Sequence, residues 1–380
     1  MSENSILHLE TPCLLLDVDK LDRNVRRLNE WIGAKGVTYR PHLKTAKSVD
    51  VARRILPSPT HPVTVSTLKE AEIFAAAGLT DIVYAVGIAP AKLGRVVHLR
   101  KTGVDLVVIL DSIEQARAVA AASREANERI PALIEIDSDG HRGGVAPEDG
   151  GLLALIAEAL VPSAELRGVL THAGSSYSSR SREEVNVWAG RERDAVLSAA
   201  ALLRKRGHEV AVVSVGSTPT ALSDVDLPGV TEVRAGVSMF FDLVQAGVGV
   251  CSFEDIALSV MTTVIGHQRD RGMMIVDAGW MALSRDRGTA AQLADQKYGL
   301  VCDMEGDVLE DLLVLDANQE HGIVGIRKGS AARLPEFPVG TRLRILPNHA
   351  CATAAQHSGY HVVGGANPTV QAFWPRFGGW

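Results

Sequence analysis

The chain has 380 residues, enough for one large domain, a smaller one and a sizeable core. It carries 39 Lys and Arg against 45 Asp and Glu, a formal net charge of −6, with no basic block or arginine-rich stripe. That removes the usual footprint of nucleic-acid or anionic-membrane binding and leaves a small molecule as the expected partner.

The opening segment MSENSILHLETP has an early Glu and no basic start before an apolar stretch. No later run approaches the roughly 18 apolar residues of a membrane span, so a soluble, cytoplasmic protein is expected. The next segment, PCLLLDV, is strand-like and precedes a helical pattern over residues 21–32. Eight short apolar runs rich in Val and Ile follow, at 37–43, 62–66, 81–86, 105–111, 131–137, 166–172, 210–215 and 231–235. Between them lie helical patterns such as 68–77 and 112–122, and a long one after Ser181, where Ser181 and Glu184 read as a capping box. Near-continuous apolar strands joined by helices imply parallel strands covered on the outside. The stretch 20–250 is close to the ~250 residues of a (β/α)8 TIM barrel. An open doubly wound sheet is the alternative, and it lacks its GxGxxG turn after the first strand.

After Cys251 the texture changes. ALSVMTTVIGHQ, GMMIVDAG, IVGIRKG and TRLRILPN read as strands separated by turn residues without intervening helices. Residues 251–380 are therefore expected to form a second, mainly β domain, joined by the N-terminal strand within 1–19. The four cysteines, Cys13, Cys251, Cys302 and Cys351, are far apart and contain no CxxC, which argues against a disulfide framework.

In a barrel the chemistry sits where the strands end, so the polar residues closing each run are the candidates. The first run ends in Arg40-Pro41-His42-Leu43-Lys44, and the fifth leads to Asp139, His141 and Arg142. The sixth leads through His172 to Tyr177, the seventh into Gly216, Ser217 and Thr218, and the eighth through Arg234 into Gly236, Val237 and Ser238. Glycines and hydroxyls after the last two strands suit a phosphate, because bare amides there approach its oxygens closely, although many such turns are only turns. A lysine past the first strand is ordinarily a solvated charge. Opposite a phosphate cradle, with Arg142 and His172 between, Lys44 instead suits a Schiff base to pyridoxal 5′-phosphate (PLP). His349 and Cys351 form an H-x-C pair. In an extended segment both would face one ion of zinc type, with open positions for water or substrate; the plainer alternative is a satisfied histidine beside a buried cysteine.

With these segments in view, the sequence resembles the fold-type III, alanine-racemase-like PLP enzymes of 3-hydroxy-D-amino acids. That group contains D-threonine aldolase, eukaryotic D-serine dehydratase and D-threo-3-hydroxyaspartate dehydratase. The resemblance runs from TPCLLLDVDKLDRN through YRPHLKTAKS, EIDSDGHRGGV, THAGSSY, VGSTPT, VRAGVSMFFD and QEHG to PNHACAT. It implies Lys44 as the PLP lysine and Arg142 near ring and substrate. It also implies His172 against the ring, Tyr177 near the substrate, and Gly216, Ser217, Thr218, Arg234, Gly236 and Val237 on the cofactor side. The metal ligands it implies are His349 and Cys351, with zinc, manganese or cobalt as the ion. Aldolases of the group typically place Asp at the second metal position, so Cys351 points to a dehydratase, releasing ammonia and a 2-oxo acid. D-threo-3-hydroxyaspartate giving oxaloacetate is the first expectation. D-serine giving pyruvate, or an aldolase giving glycine and an aldehyde, are the alternatives, and a homodimer is implied.

Overall fold

The structure, a computed structural model, describes residues 5–161, 163–364 and 369–380. Its contacts divide the chain into two compact units, Leu28–Gly236 with Gly378–Trp380, and Met1–Arg27 with Val237–Phe377. The sequence pattern places the bounds elsewhere, at 20–250 and at 251–380 with 1–19.

Seventeen strands are formed by the described residues. The first, β1 (Cys13–Asp17), belongs to the second unit. The next eight are β2 (Thr38–Pro41), β3 (Val63–Val65), β4 (Asp81–Gly87), β5 (Asp105–Leu110), β6 (Pro131–Ile136), β7 (Glu165–Thr171), β8 (Val212–Val215) and β9 (Glu232–Ala235). They make one parallel sheet in the order β2-β9-β8-β7-β6-β5-β4-β3. Its two edges meet just past β2 and within β3: His42 and Thr64 form a parallel bridge, and the Leu43 N–H donates to the Thr64 carbonyl at 2.9 Å. The barrel is thus closed by the segment that leads into Lys44.

These runs become buried strands because both faces are apolar, as a barrel wall covered by helices requires. Val83, Val107, Ile109, Leu133 and Leu170 pack into one buried cluster. The helices start where hydroxyl caps stand: Thr67 accepts from the Glu70 N–H, Ser112 from Gln115 and Ser181 from Glu184. At Ser181 the reciprocal arm of the expected capping box differs, because the Glu184 carboxylate accepts the Arg180 N–H at 2.7 Å instead of that of Ser181.

The second unit holds β10 (Leu258–Gln268), β11 (Met273–Val276), β12 (Gly299–Cys302), β13 (Val308–Ala317), β14 (Gly322–Ile326), β15 (Arg342–Pro347), β16 (Gly359–Gly364) and β17 (Thr369–Pro375). The sheet order is β11-β14-β13-β12-β15-β10-β1-β16-β17, antiparallel except between β1 and β16. The eleven residues of β10 let it pair with β15 and β1 in its first half and with β11 in its second, with a register shift between Val264 and Gly266. The core here includes Ile6, Cys13, Leu15, Met261 and Val363. The expectation of strands without helices needs correction: short helices occur at Trp280–Leu283 and Ala350–Ala354. None of the described helices is long and apolar enough to cross a membrane.

Candidate active site

The barrel mouth gathers most of the residues expected there. Lys44 follows the closing bridge, its backbone N–H 3.4 Å from His42 Nδ1, and its side chain is exposed. His172 ends β7. Its Nδ1 lies 2.6 Å from the Gly216 carbonyl. A carbonyl only accepts, so Nδ1 carries the proton and Nε2 keeps its lone pair. Burial pushes the His172 pKa down from 6.5 to about 3, with the charges of Arg142 and Lys44 adding to the effect. Burial likewise holds His42 well below 6.5, helped by Lys44, Arg234 and His172. Both rings are neutral at physiological pH and present an uncharged face to whatever lies in the mouth.

The His172 shift has a pH consequence. Below 6.5 the unfolded chain takes up a proton that the folded ring refuses until about pH 3, so the stability tied to the neutral ring is complete above pH 6.5 and is lost as pH falls toward 3. Urea unfolding of cofactor-free protein should therefore weaken more between pH 6.5 and 4.5 than that of His172→Asn, by about 2–3 kcal/mol. Parallel losses in both proteins would show that His172 is not the responsive group.

Tyr177 sits in the turn Gly174–Ser178, its ring 6.2 Å from that of His172, and its hydroxyl accepts the Thr218 N–H at 3.4 Å. Arg142 is half-exposed, 3.7 Å from Glu135. Burial raises the Glu135 pKa against the pull of Arg142.

The loops after β8 and β9 are built for close approach. A Cβ on Gly216 would lie 2.0 Å from the Arg234 carbonyl, and one on Gly236 2.8 Å from the His42 carbonyl, so only glycine fits either place. Ser217 caps the short helix Thr218–Ala221, and its hydroxyl is 2.8 Å from that of Ser176. Two expected cofactor contacts are engaged within the protein. The Gly216 N–H donates to the Glu192 carboxylate at 2.9 Å, and the Arg234 guanidinium donates to the Ser214 hydroxyl and, at 2.5 Å, to the Thr171 carbonyl. Glu192, a fully buried carboxylate on the helix Arg182–Lys205, also accepts the Ala173 N–H at 3.1 Å. It thereby ties the ends of β7 and β8 together.

The buried Thr218 hydroxyl has no hydrogen-bond partner within the protein. A native interior seldom leaves such a group unsatisfied, so a ligand oxygen is its natural complement. That orphan, with the glycine-only approaches around it and a lysine at the same mouth, fits a phosphorylated aldehyde cofactor. Val237, next in sequence, begins the second unit; there the Ser238 hydroxyl is likewise buried and unpartnered.

His349 and Cys351 lie in the second unit, but not on an extended segment. His349 has strand-like angles and stands at the N-cap of Ala350–Ala354, whose first turn carries Cys351. The helix begins there because the buried Asp242 carboxylate accepts the Ala350 N–H at 2.9 Å. His349 Nδ1 is 2.5 Å from Asp286 Oδ2. Burial works against charge on this imidazole, yet hydrogen bonds to Asp286 and Cys351 prevail and raise its pKa to about 11. Among the described residues no group of three or more His, Cys, Asp and Glu side chains forms a ligand set. An ion here would rest on one imidazole and one thiolate, a pairing that suits zinc-like metals and leaves coordination positions open.

Two family models match successive parts of the chain. Residues 16–244 match the family described as "Alanine racemase, N-terminal domain", and residues 257–363 the "Putative serine dehydratase domain". The chain is 52% identical to the D-threo-3-hydroxyaspartate dehydratase of Delftia sp. (strain HT23), over 100% of both chains. It is 31% identical to the D-serine dehydratase of Dictyostelium discoideum, over 99% of each. The solved structure of a Cys-to-Ala mutant of D-threo-3-hydroxyaspartate dehydratase, in the metal-free form, superposes with a TM-score of 0.96 at 51% identity, covering 100% of both chains.

Proposed function

The chain belongs to the alanine-racemase-like PLP enzymes that carry a serine-dehydratase domain, and we propose that it is a PLP- and divalent-metal-dependent dehydratase converting D-threo-3-hydroxyaspartate to oxaloacetate and ammonia. The observation that carries this reading is the 52% identity to the Delftia dehydratase over the full length of both chains. D-serine is the second substrate to consider, favoured by the full-length likeness to the Dictyostelium enzyme. A cytoplasmic homodimer is part of the proposal.

When bound, PLP would spread the electron pair left at Cα, and a divalent ion would supply Lewis acidity toward the leaving 3-hydroxyl. Lys44 Nζ would hold the cofactor covalently and, once displaced by the substrate amine, take the α proton. His172, fixed by Gly216 and neutral, would pack against the ring without adding charge. Arg142 would bind a substrate carboxylate, with Tyr177 beside it. Ser217, Thr218, Gly236 and Val237 would line the phosphate side, while Gly216 and Arg234 would act chiefly by shaping it. His349 and Cys351 would hold the ion.

The orphan hydroxyl makes one part of this measurable. Thr218→Val keeps the shape and removes a hydrogen bond to a dianion, which contributes about 1.5–3 kcal/mol. PLP should bind the variant about 10–100-fold more weakly, while the cofactor-free protein unfolds at least as late as wild type. Unchanged PLP affinity would remove Thr218 from the phosphate site.

The reaction itself is tested by incubating the holoenzyme with D-serine and all four 3-hydroxyaspartate isomers and identifying the products. Ammonia and oxaloacetate from the D-threo isomer are expected. Glycine with an aldehyde would make the enzyme an aldolase, and pyruvate from D-serine with no turnover of 3-hydroxyaspartate would reassign the substrate.

A further inference from the structure

Asp286 has no part in the reaction as drawn, yet it makes one of the closest contacts of the second unit, with His349. We propose that Asp286 is a positioning residue for the metal: its carboxylate accepts the Nδ1–H of His349 and so fixes the tautomer in which Nε2 is the donor to an ion. The inference rests on the reading that His349 and Cys351 hold that ion.

Three observations carry it. The first is the choice of partner. Asp286 is flanked by two arginines, but Arg285 stacks on the Trp280 ring at 4.3 Å and Arg287 pairs with Asp295 at 2.6 Å. The carboxylate between them is aimed at the imidazole 63 residues away in sequence, at 2.5 Å. Second, the carboxylate is itself held in place. The Asp286 N–H donates to the Ser284 hydroxyl at 3.0 Å, and the Gly288 N–H donates to the Asp286 carboxylate. Ser284 adopts φ +74, a positive value uncommon for a residue other than glycine, and its own N–H donates to the Trp280 carbonyl at 2.8 Å.

Third, the two segments that carry the pair are locked to each other from the other side. Asn348, the residue before His349, accepts the Thr289 N–H at 3.1 Å and donates to the Lys297 carbonyl at 2.6 Å. Asp242 accepts the Ala350 N–H just beyond. His349 thus stands on a backbone fixed at both neighbours, with its ring orientation set by Asp286. A carboxylate hydrogen-bonded to the far nitrogen raises the basicity of the ligating one and removes the entropy of choosing a tautomer.

The test is metal binding, read apart from turnover. PLP-loaded wild type, Asp286→Ala and Asp286→Asn are stripped of metal and titrated with zinc against a competing chelator. Each is also loaded with cobalt for its visible spectrum. Asp286→Ala should bind zinc about 10–100-fold more weakly, with an altered cobalt spectrum. Asp286→Asn, whose carboxamide oxygen still accepts the proton but lacks the charge, should fall between. PLP content and metal-free Tm should match wild type in both. Zinc affinity of Asp286→Ala within about twofold of wild type, against the larger loss expected of an outer-shell partner, would overturn the inference. So would a metal-free Tm lowered as much as the metal-bound one, because Asp286 would then be serving stability alone. His349→Ala and Cys351→Ala separate the two readings. If they keep wild-type zinc affinity, the metal site lies elsewhere and both readings fall. If they lose zinc while Asp286→Ala keeps it, only the role of Asp286 is refuted.

Discussion

Lys44→Ala is expected to abolish turnover, by about 10⁴-fold or more, because in the proposed mechanism it removes both the covalent attachment of the cofactor and the base for the α proton. Borohydride reduction of the wild type should fix PLP to the peptide that contains Lys44; the variant should take no label. The expectation rests on position: Lys44 follows the bridge that closes the barrel, at the mouth shared with His172 and the Gly216–Thr218 turn. Label on another lysine, or near-normal turnover by the variant, would displace Lys44 from this role.

Cys351→Ala should lower ammonia release by about 10²–10³-fold, the equivalent of several kcal/mol of Lewis-acid assistance to a poor leaving group. The loss should not extend to the cofactor, since the residues proposed to hold it are Lys44 and those of the phosphate side, not Cys351. PLP content and absorbance of the variant should therefore equal those of wild type. In the stripped wild type, activity should return with zinc, manganese or cobalt, and the thiolate should favour these over magnesium. Full activity of Cys351→Ala without added metal would leave the pair a structural one.

The eight barrel strands were legible because each is buried on both faces. VVIL within β5 and ALIEI within β6 therefore stand out as apolar runs bounded by polar ends. The second unit was less legible. In β13 the run VLEDLLVLDA is interrupted by Glu310 and by Asp311, which has a φ of +53 and accepts a hydrogen bond from Arg327, and β17 is an edge strand with little burial. A five-residue helix such as Ala350–Ala354 is too short to show a period at all.

The same limit governs the site. Residues that close a strand run, such as Lys44, His172 and Thr218, can be found by place alone. Asp286 and Glu192 act through partners distant in sequence, as does Asp242 toward Ala350, although Asp242 also caps its own helix by accepting the Gln245 N–H at 2.9 Å. Their signal is tertiary: a carboxylate 2.5 Å from an imidazole, or one fully buried beneath two backbone N–H groups. His42 was within reach, since it lies in the same RPHLK run as Lys44, yet its burial and the charges of Lys44 and Arg234 near it arise only once the barrel closes.

In the proposed reaction Lys44 opens the chemistry at Cα, and the metal that His349 and Cys351 would hold is needed only afterward, when the 3-hydroxyl departs. Exchange of the substrate α proton measures this directly. Chelated holoenzyme is incubated with D-threo-3-hydroxyaspartate in deuterium oxide, and deuterium at Cα of the recovered substrate is followed beside ammonia release. Incorporation at Cα should continue while ammonia release almost stops, and ammonia release should return on adding zinc. Loss of exchange and ammonia together on chelation, or undiminished ammonia release without metal, would contradict this order of events.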